Sequence, residues 1–183
     1  MLTIRREEPD DADAVARVHV HGWQAGYAGF MPDEVLARLN VAAWAQRRRA
    51  VGTADPEHPF TTLLGEADGL VVGFTTFGPY RRNQDRDDLD PAVGEVLALY
   101  VEPAFWGDGT AAALFAAARA GLGERGWTDY RLWVLADNVR ARRFCERAGL
   151  SPDGEQATYQ VPLAGGRGPL GLVELRYAGR LDG

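Results

Sequence analysis

Apolar residues recur along this chain in two rhythms, and the switches between them mark its elements. Leu2 to Arg6 alternates as a short strand. Pro9-Asp10-Asp11 then opens a helix running to about Gln24, with Ala12, Val15, Ala16 and His19 on one side; proline and acids suit a first turn. After the glycine- and aromatic-rich stretch from Gly22 to Pro32, the pattern predicts helical segments over roughly Asp33 to Leu39 and Val41 to Ala50. Gly52 to Pro59 reads as a loop. Phe60 to Glu66 and Leu70 to Phe77 alternate with period two around Ala67-Asp68-Gly69, a hairpin signal. Gly78 to Pro91 is dense in arginine and aspartate and is expected to be a mobile loop.

The second half carries a denser grammar. Glu95 to Val101 is rich in Val, Leu and Tyr and runs into Pro103, as a largely buried strand would. Trp106-Gly107-Asp108-Gly109-Thr110-Ala111 follows, and then a helical stripe of Ala111, Leu114, Phe115, Ala118 and Leu122, with Gly121, Gly123 and Gly126 expected to fray its end. Tyr130 to Leu135 is another strand, and Asn138 is placed to cap a helix that puts Ala141, Phe144, Cys145 and Ala148 on one face before Gly149. Gly154 to Val161 and Leu172 to Ala178 read as closing strands around a glycine-rich turn. This order of elements predicts an α/β fold with a mixed sheet.

Composition narrows the picture. A chain of 183 residues suits a single domain, 1–183. A net charge of −6 argues against nucleic acid as the principal partner. The one basic run, Arg47-Arg48-Arg49, closes a predicted helix, where positive charge suits the dipole. The longest apolar run is the eight residues from Ala111 to Ala118, and the first helix opens on acids, so neither a membrane span nor a secretory signal is expected. One cysteine cannot form an internal disulfide, which fits a cytoplasmic protein. Three histidines and that cysteine make no metal-site spacing, and His19 and His21 point to different helix faces.

Closely spaced glycines between a strand and a helix N-terminus leave main-chain N–H groups pointing outward, where the helix dipole adds positive potential; together they form a pyrophosphate cradle. A P-loop would need Gly-Lys-Ser/Thr, and the chain has no lysine; the glycine spacing does not fit a dinucleotide fingerprint either. The stretch resembles motif A of the GCN5-related N-acetyltransferase superfamily, Gln/Arg-x-x-Gly-x-Gly/Ala after a strand ending in Val-x-Pro. Gly109 and Ala111 match it, and Trp106 stands in the Gln/Arg place. Asn138, Ala141, Phe144, Glu146, Gly149 and Leu150 are similar to motif B at its own spacing, with Cys145 where the family usually has tyrosine.

The resemblance implies a mixed, mostly antiparallel sheet of six to seven strands with helices on both faces. Its fourth and fifth strands run parallel and splay apart around the pantetheine arm of acetyl-CoA. It implies an enzyme moving the acetyl group onto a primary amine of a small molecule or peptide, with neither nucleic acid nor membrane as partner, and homodimers are frequent among such relatives. By the same resemblance, main-chain groups of Leu99, Tyr100 and Val101 would serve the pantetheine and thioester. Trp106, Gly107, Asp108, Gly109, Thr110 and Ala111 would hold the pyrophosphate, and Asn138 would touch the cofactor. Glu95 is the expected base, with Asp88 and Asp90 as rivals. Cys145 is either the acid for the departing thiolate or a small core residue. Trp23 and Tyr27, four apart, would wall the acceptor pocket, and the acids from Asp85 to Asp90 would either attract a cationic amine or keep a loop soluble. The missing tyrosine keeps open a non-catalytic acetyl-CoA-binding module, and an unrelated nucleotide-binding α/β protein is the third reading.

Overall fold

The computed structural model describes residues 1–181. Its strands are β1 (Leu2–Arg6), β2 (Thr61–Ala67), β3 (Leu70–Arg81), β4 (Leu89–Val101), β5 (Asp129–Leu135), β6 (Ser151–Val161) and β7 (Leu170–Arg180). Its helices are α1 (Ala12–Gly26), α2 (Asp33–Ala37), α3 (Val41–Val51), α4 (Thr110–Glu124) and α5 (Val139–Arg147). The strands make one seven-stranded sheet in the order β1-β2-β3-β4-β5-β7-β6. Every neighbouring pair is antiparallel except β4 and β5, which run parallel. The expected mixed sheet with one central parallel pair is what the chain forms.

Alternation along the strands sends core residues to both faces, so helices are needed on both. Phe74 of β3 packs with Val15 and Val18 of α1, whereas Phe77 packs with Phe115, Ala118 and Leu122 of α4. The end of α4 does not fray at Gly121. A Cβ there would lie 2.3 Å from the Phe77 ring, so the glycine is what lets the helix sit down on the sheet. On the α1 side, α3 is fastened by Arg48, which donates to both carboxylate oxygens of buried Glu7 and to the Thr62 hydroxyl.

The stretch from Gly78 to Pro91 corrects the mobile-loop reading. β3 continues to Arg81 and β4 begins at Leu89, with Tyr80 opposite Asp90 and Arg81 opposite Leu89. Tyr80 is buried, and its hydroxyl accepts from Arg176 at 3.0 Å. Charge hid the strands: Arg82 pairs with Asp88 and Asp90, so polar side chains here tie the hairpin together. Likewise β6 starts at Ser151, earlier than its pattern suggested, because a register break between Pro152 and Gln156 interrupts the alternation. Among the described residues no helix is long and apolar enough to cross a membrane, and no group of His, Cys, Asp and Glu is gathered to hold a metal ion.

Candidate active site

Parallel pairing between β4 and β5 is limited to Gly94 with Tyr130 and Glu95 with Arg131. Beyond that point the strands diverge, and the β5-facing main chain of β4 is left without a ladder. Buried main-chain groups need partners, so such a gap asks for a ligand. On its other edge β4 stays paired to β3 from Gly94 to Val101, except at Leu97, an extra residue between Val96, opposite Phe77, and Ala98, opposite Thr76. This bulge re-aims the stretch carrying Leu99, Tyr100 and Val101. A cavity of about 1180 Å³ runs through the gap, bordered by β4, β5, α1, α3 and the starts of α4 and α5.

At one end of the cavity stands the glycine loop. Gly107 and Gly109 have φ of 86° and 96°, left-handed conformations open to glycine at little cost. Gly109 immediately precedes α4. The amides of Gly107, Gly109 and Ala111 make no hydrogen bond to the described residues, and all three residues border the cavity. Asp108 and Thr110 differ from the expectation: neither borders the cavity, and the Thr110 amide donates to Asp108 Oδ1 at 2.9 Å. Trp106 turns its indole N–H back onto the Val101 carbonyl at 2.8 Å, clamping the loop to the end of β4. Over its ring, 3.4 Å from the centroid, lies the guanidinium of Arg140, a cation that sequence reasoning missed. Asn138 caps α5 by accepting from the Ala141 amide at 3.1 Å, and it too borders the cavity. This end therefore offers free amides and a helix N-terminus, with Arg140 and Arg147 of α5 also bordering the cavity, which fits a diphosphate.

The other end is aromatic and charged. His19 lies 4.6 Å, ring to ring, from Tyr100 and 4.3 Å from Trp44, and burial followed by the nearby Arg48 lowers its pKa to about 3, so it is neutral. Trp23 and Tyr27 both border the cavity, and the hydroxyls of Tyr27 and Tyr100 share a hydrogen bond at 3.2 Å. Burial raises the pKa of both phenols. The indole N–H of Trp133, on the cavity wall, is buried without a protein acceptor among the described residues.

Two carboxylates reach this end. Glu95 is fully buried, and Arg81 holds it on both oxygens: Nη2 donates to Oε1 at 2.8 Å, while Nε and the Arg81 amide donate to Oε2 at 3.1 and 2.9 Å. Among the described residues the Glu174 side chain, on β7, has a single hydrogen-bond partner, the Gln84 side-chain amide at 2.7 Å, and burial raises its pKa above the usual carboxylate value. One local signal could have pointed to Glu174, a lone acid inside the apolar run Leu172-Val173-Glu174-Leu175. Nothing local marked Gln84. It sits in the β3–β4 turn, where Asn83 and Gln84 both have positive φ, 53° and 58°. Two consecutive non-glycine residues in that region carry strain, which here aims the amide at Glu174. Asp85, Asp87, Asp88 and Asp90 do not border the cavity.

Residues 23–150 match the acetyltransferase (GNAT) family. The chain belongs to this family. An N-acetyltransferase of Archaeoglobus fulgidus, itself uncharacterized, is 31% identical over 148 residues, 78% of this chain and 88% of that protein. A mycothiol acetyltransferase of Mycobacterium avium is 32% identical over 87% of this chain but only 54% of its own length. The PaiA N-acetyltransferase of Thermoplasma acidophilum, crystallised with coenzyme A, shares the fold with a TM-score of 0.72 at 16% identity, covering 98% of this chain and 99% of that one. As a GNAT enzyme the protein is an acyl-CoA-dependent N-acyltransferase, and coenzyme A thioester is its co-substrate.

One motif position of this GNAT enzyme stands out. Cys145, in the place of the family's tyrosine, is only 4% exposed and packs in the cluster of Phe115, Leu132 and Leu150. Burial, and then Glu146, push its thiol up to about 12. A thiol that holds its proton so tightly is poorly matched to a leaving thiolate whose own value is ~8.5.

Proposed function

We propose that this GNAT enzyme moves the acetyl group of acetyl-CoA directly onto a primary amine of a small molecule or peptide, both substrates being bound together. One observation carries the reading: a single cavity joins a gap between parallel strands to an aromatic chamber holding a carboxylate free to accept a proton. When bound, acetyl-CoA supplies the activated acyl group. Amides of Gly107, Gly109 and Ala111 receive its diphosphate, with Arg140 adding charge and the Asn138 side-chain NH₂ a further donor. Main-chain groups of Leu99, Tyr100 and Val101 hold the pantetheine arm, and an N–H among them polarises the thioester carbonyl.

The amine nitrogen forms the new C–N bond as the C–S bond breaks, and the amine gives up one proton. We assign that proton to Glu174. Its raised pKa makes it a stronger base than an ordinary carboxylate, and only one of its oxygens is engaged. Glu95, which its place on the strand suggested as base, has both oxygens engaged by Arg81 and acts as a positioning residue. Cys145 serves as core, and the departing thiolate takes its proton from solvent at the cavity mouth. Trp23 and Tyr27 wall the amine's approach.

The test is turnover. Acetyl-CoA is incubated with polyamines, amino acids, aminoglycosides and peptide N-termini, and free thiol is followed together with the mass of the acetylated product. Steady release with an acetylated amine supports the reading. Tight coenzyme binding with no release from any acceptor overturns it in favour of a non-catalytic binding module.

A further inference from the structure

Four arginines, Arg47, Arg48, Arg81 and Arg86, border the acceptor half of the cavity in a chain whose net charge is −6. Two of them are neutralised, Arg48 by Glu7 and Arg81 by Glu95. Arg47 and Arg86 have no carboxylate within ion-pair distance among the described residues. Each lies over an aromatic ring instead, Arg47 at 5.6 Å from Trp44 and Arg86 at 5.8 Å from Phe60. Arg86 is exposed at its surface, yet protein fills much of the volume around it. That burial, and then the guanidiniums of Arg81, Arg48 and Arg47, lower its pKa, with Glu95 offsetting them in part. Crowded like charges without a counter-ion are relieved by an anion from outside.

The coenzyme does not explain this cluster. The free loop amides and Arg140 border the cavity on the other side of the gap, on the starts of α4 and α5, whereas Arg47 comes from α3 and Arg86 from the β3–β4 turn. That turn is the strained one at Asn83 and Gln84. It delivers Gln84 and Arg86 to the cavity while its acids look elsewhere: Asp85 accepts from the Asp87 amide and Asp88 from Arg82. Of this acid-rich stretch, Arg86 and not an aspartate reaches the cavity.

We propose that the acceptor of this enzyme is a small primary amine that also carries a carboxylate or phosphonate, which Arg86 and Arg47 bind at the cavity mouth while the amine faces Glu174. The planar guanidinium fork suits both oxyanions. The proposal rests on the acetyl-transfer reading for the role of the amine end.

Matched acceptors test it: glycine, aminomethylphosphonate and glycinamide, with their longer-chain homologues. Binding to the CoA-saturated enzyme is measured by calorimetry, and acetylation by product mass. Acidic members are expected to bind at least about 10-fold tighter than the amides of equal length, and the order of carboxylate and phosphonate identifies the anion read. In Arg86→Gln and Arg47→Gln that preference falls to within about twofold, the loss expected when a charged hydrogen bond is removed. Equal binding of acid and amide overturns the proposal, as do a preference for the amide, failure of every acidic member to bind, or an equal loss of CoA affinity in the variants. An acidic preference in binding without any acetylated product leaves this inference standing and overturns the transfer reading instead.

Discussion

The two ends of the cavity are made of different material. At the glycine-loop end the groups on offer are the free main-chain amides of Gly107, Gly109 and Ala111, with Asn138 and Arg140 beside them at the start of α5. At the acceptor end they are side chains gathered from α1, α3, the β3–β4 turn and β7, which lie far apart in the sequence. Main-chain chemistry survives a change of side chain, provided the conformation holds. Trp106 replaces the usual Gln/Arg, and the loop is still clamped, now by an indole bond to Val101, while Arg140 brings positive charge from a neighbouring helix. Side-chain chemistry has no such tolerance: on the reading proposed above, Glu174→Gln would take away the proton acceptor and Arg86→Gln the preference for an acidic acceptor.

The largest effect is expected where main-chain conformation is attacked directly. Gly109 has φ of 96° with nothing within 4 Å of where a Cβ would lie, so Gly109→Ala places its methyl in open space and acts through backbone strain. Coenzyme A should bind at least about 100-fold more weakly in calorimetry, while circular dichroism stays native. Unchanged affinity would mean that the loop amides do not hold the diphosphate.

Next comes the proton acceptor. Glu174→Gln should lower kcat about 100-fold with CoA affinity retained. In the parent enzyme kcat/KM should fall on the acid side, because a carboxyl whose pKa is raised is already protonated at pH values where an ordinary glutamate is still charged. The midpoint of that limb lies above the usual glutamate value, and the limb disappears in the variant. A rate insensitive to this substitution returns the base role to Glu95.

Smaller still is Arg140→Ala, expected to weaken coenzyme A about 10-fold, the size of one charged hydrogen bond, with acceptor KM unmoved. Last is Cys145→Ala. Its kcat should stay within about twofold of the parent, and the loss should appear instead as about 1 kcal/mol of stability in denaturant unfolding, as for other small core truncations. A large drop in kcat at unchanged stability would restore the thiol as an acid.

The same contrast explains what could be read from residues alone. The order of elements along the chain followed from periodicity, and the splayed pair was implied by the motifs' resemblance to the acetyltransferase superfamily; both were legible because the glycine turn and the Asn138 cap are local signals at short spacing. The β3–β4 hairpin was misread because Arg81, Arg82 and the aspartates look like solvated loop until their cross-strand partners are known. Glu174 and Gln84, ninety positions apart, meet only once β7 is inserted between β5 and β6. No window along the chain contains that contact. Trp23 and Tyr27 were visible as a helical pair, but the Trp44, Phe74 and Tyr100 rings that complete their chamber arrive from three other elements.

The divergence of β4 from β5 also bears on the mechanics of the whole molecule. Only two register pairs stitch the β1–β4 half to the β5–β7 half through the sheet itself. A pantetheine arm lying in the seam would act as a splint across it. The liganded enzyme should therefore melt higher and resist proteases better than the empty one, by about 2.7 kcal/mol at a hundredfold excess over Kd.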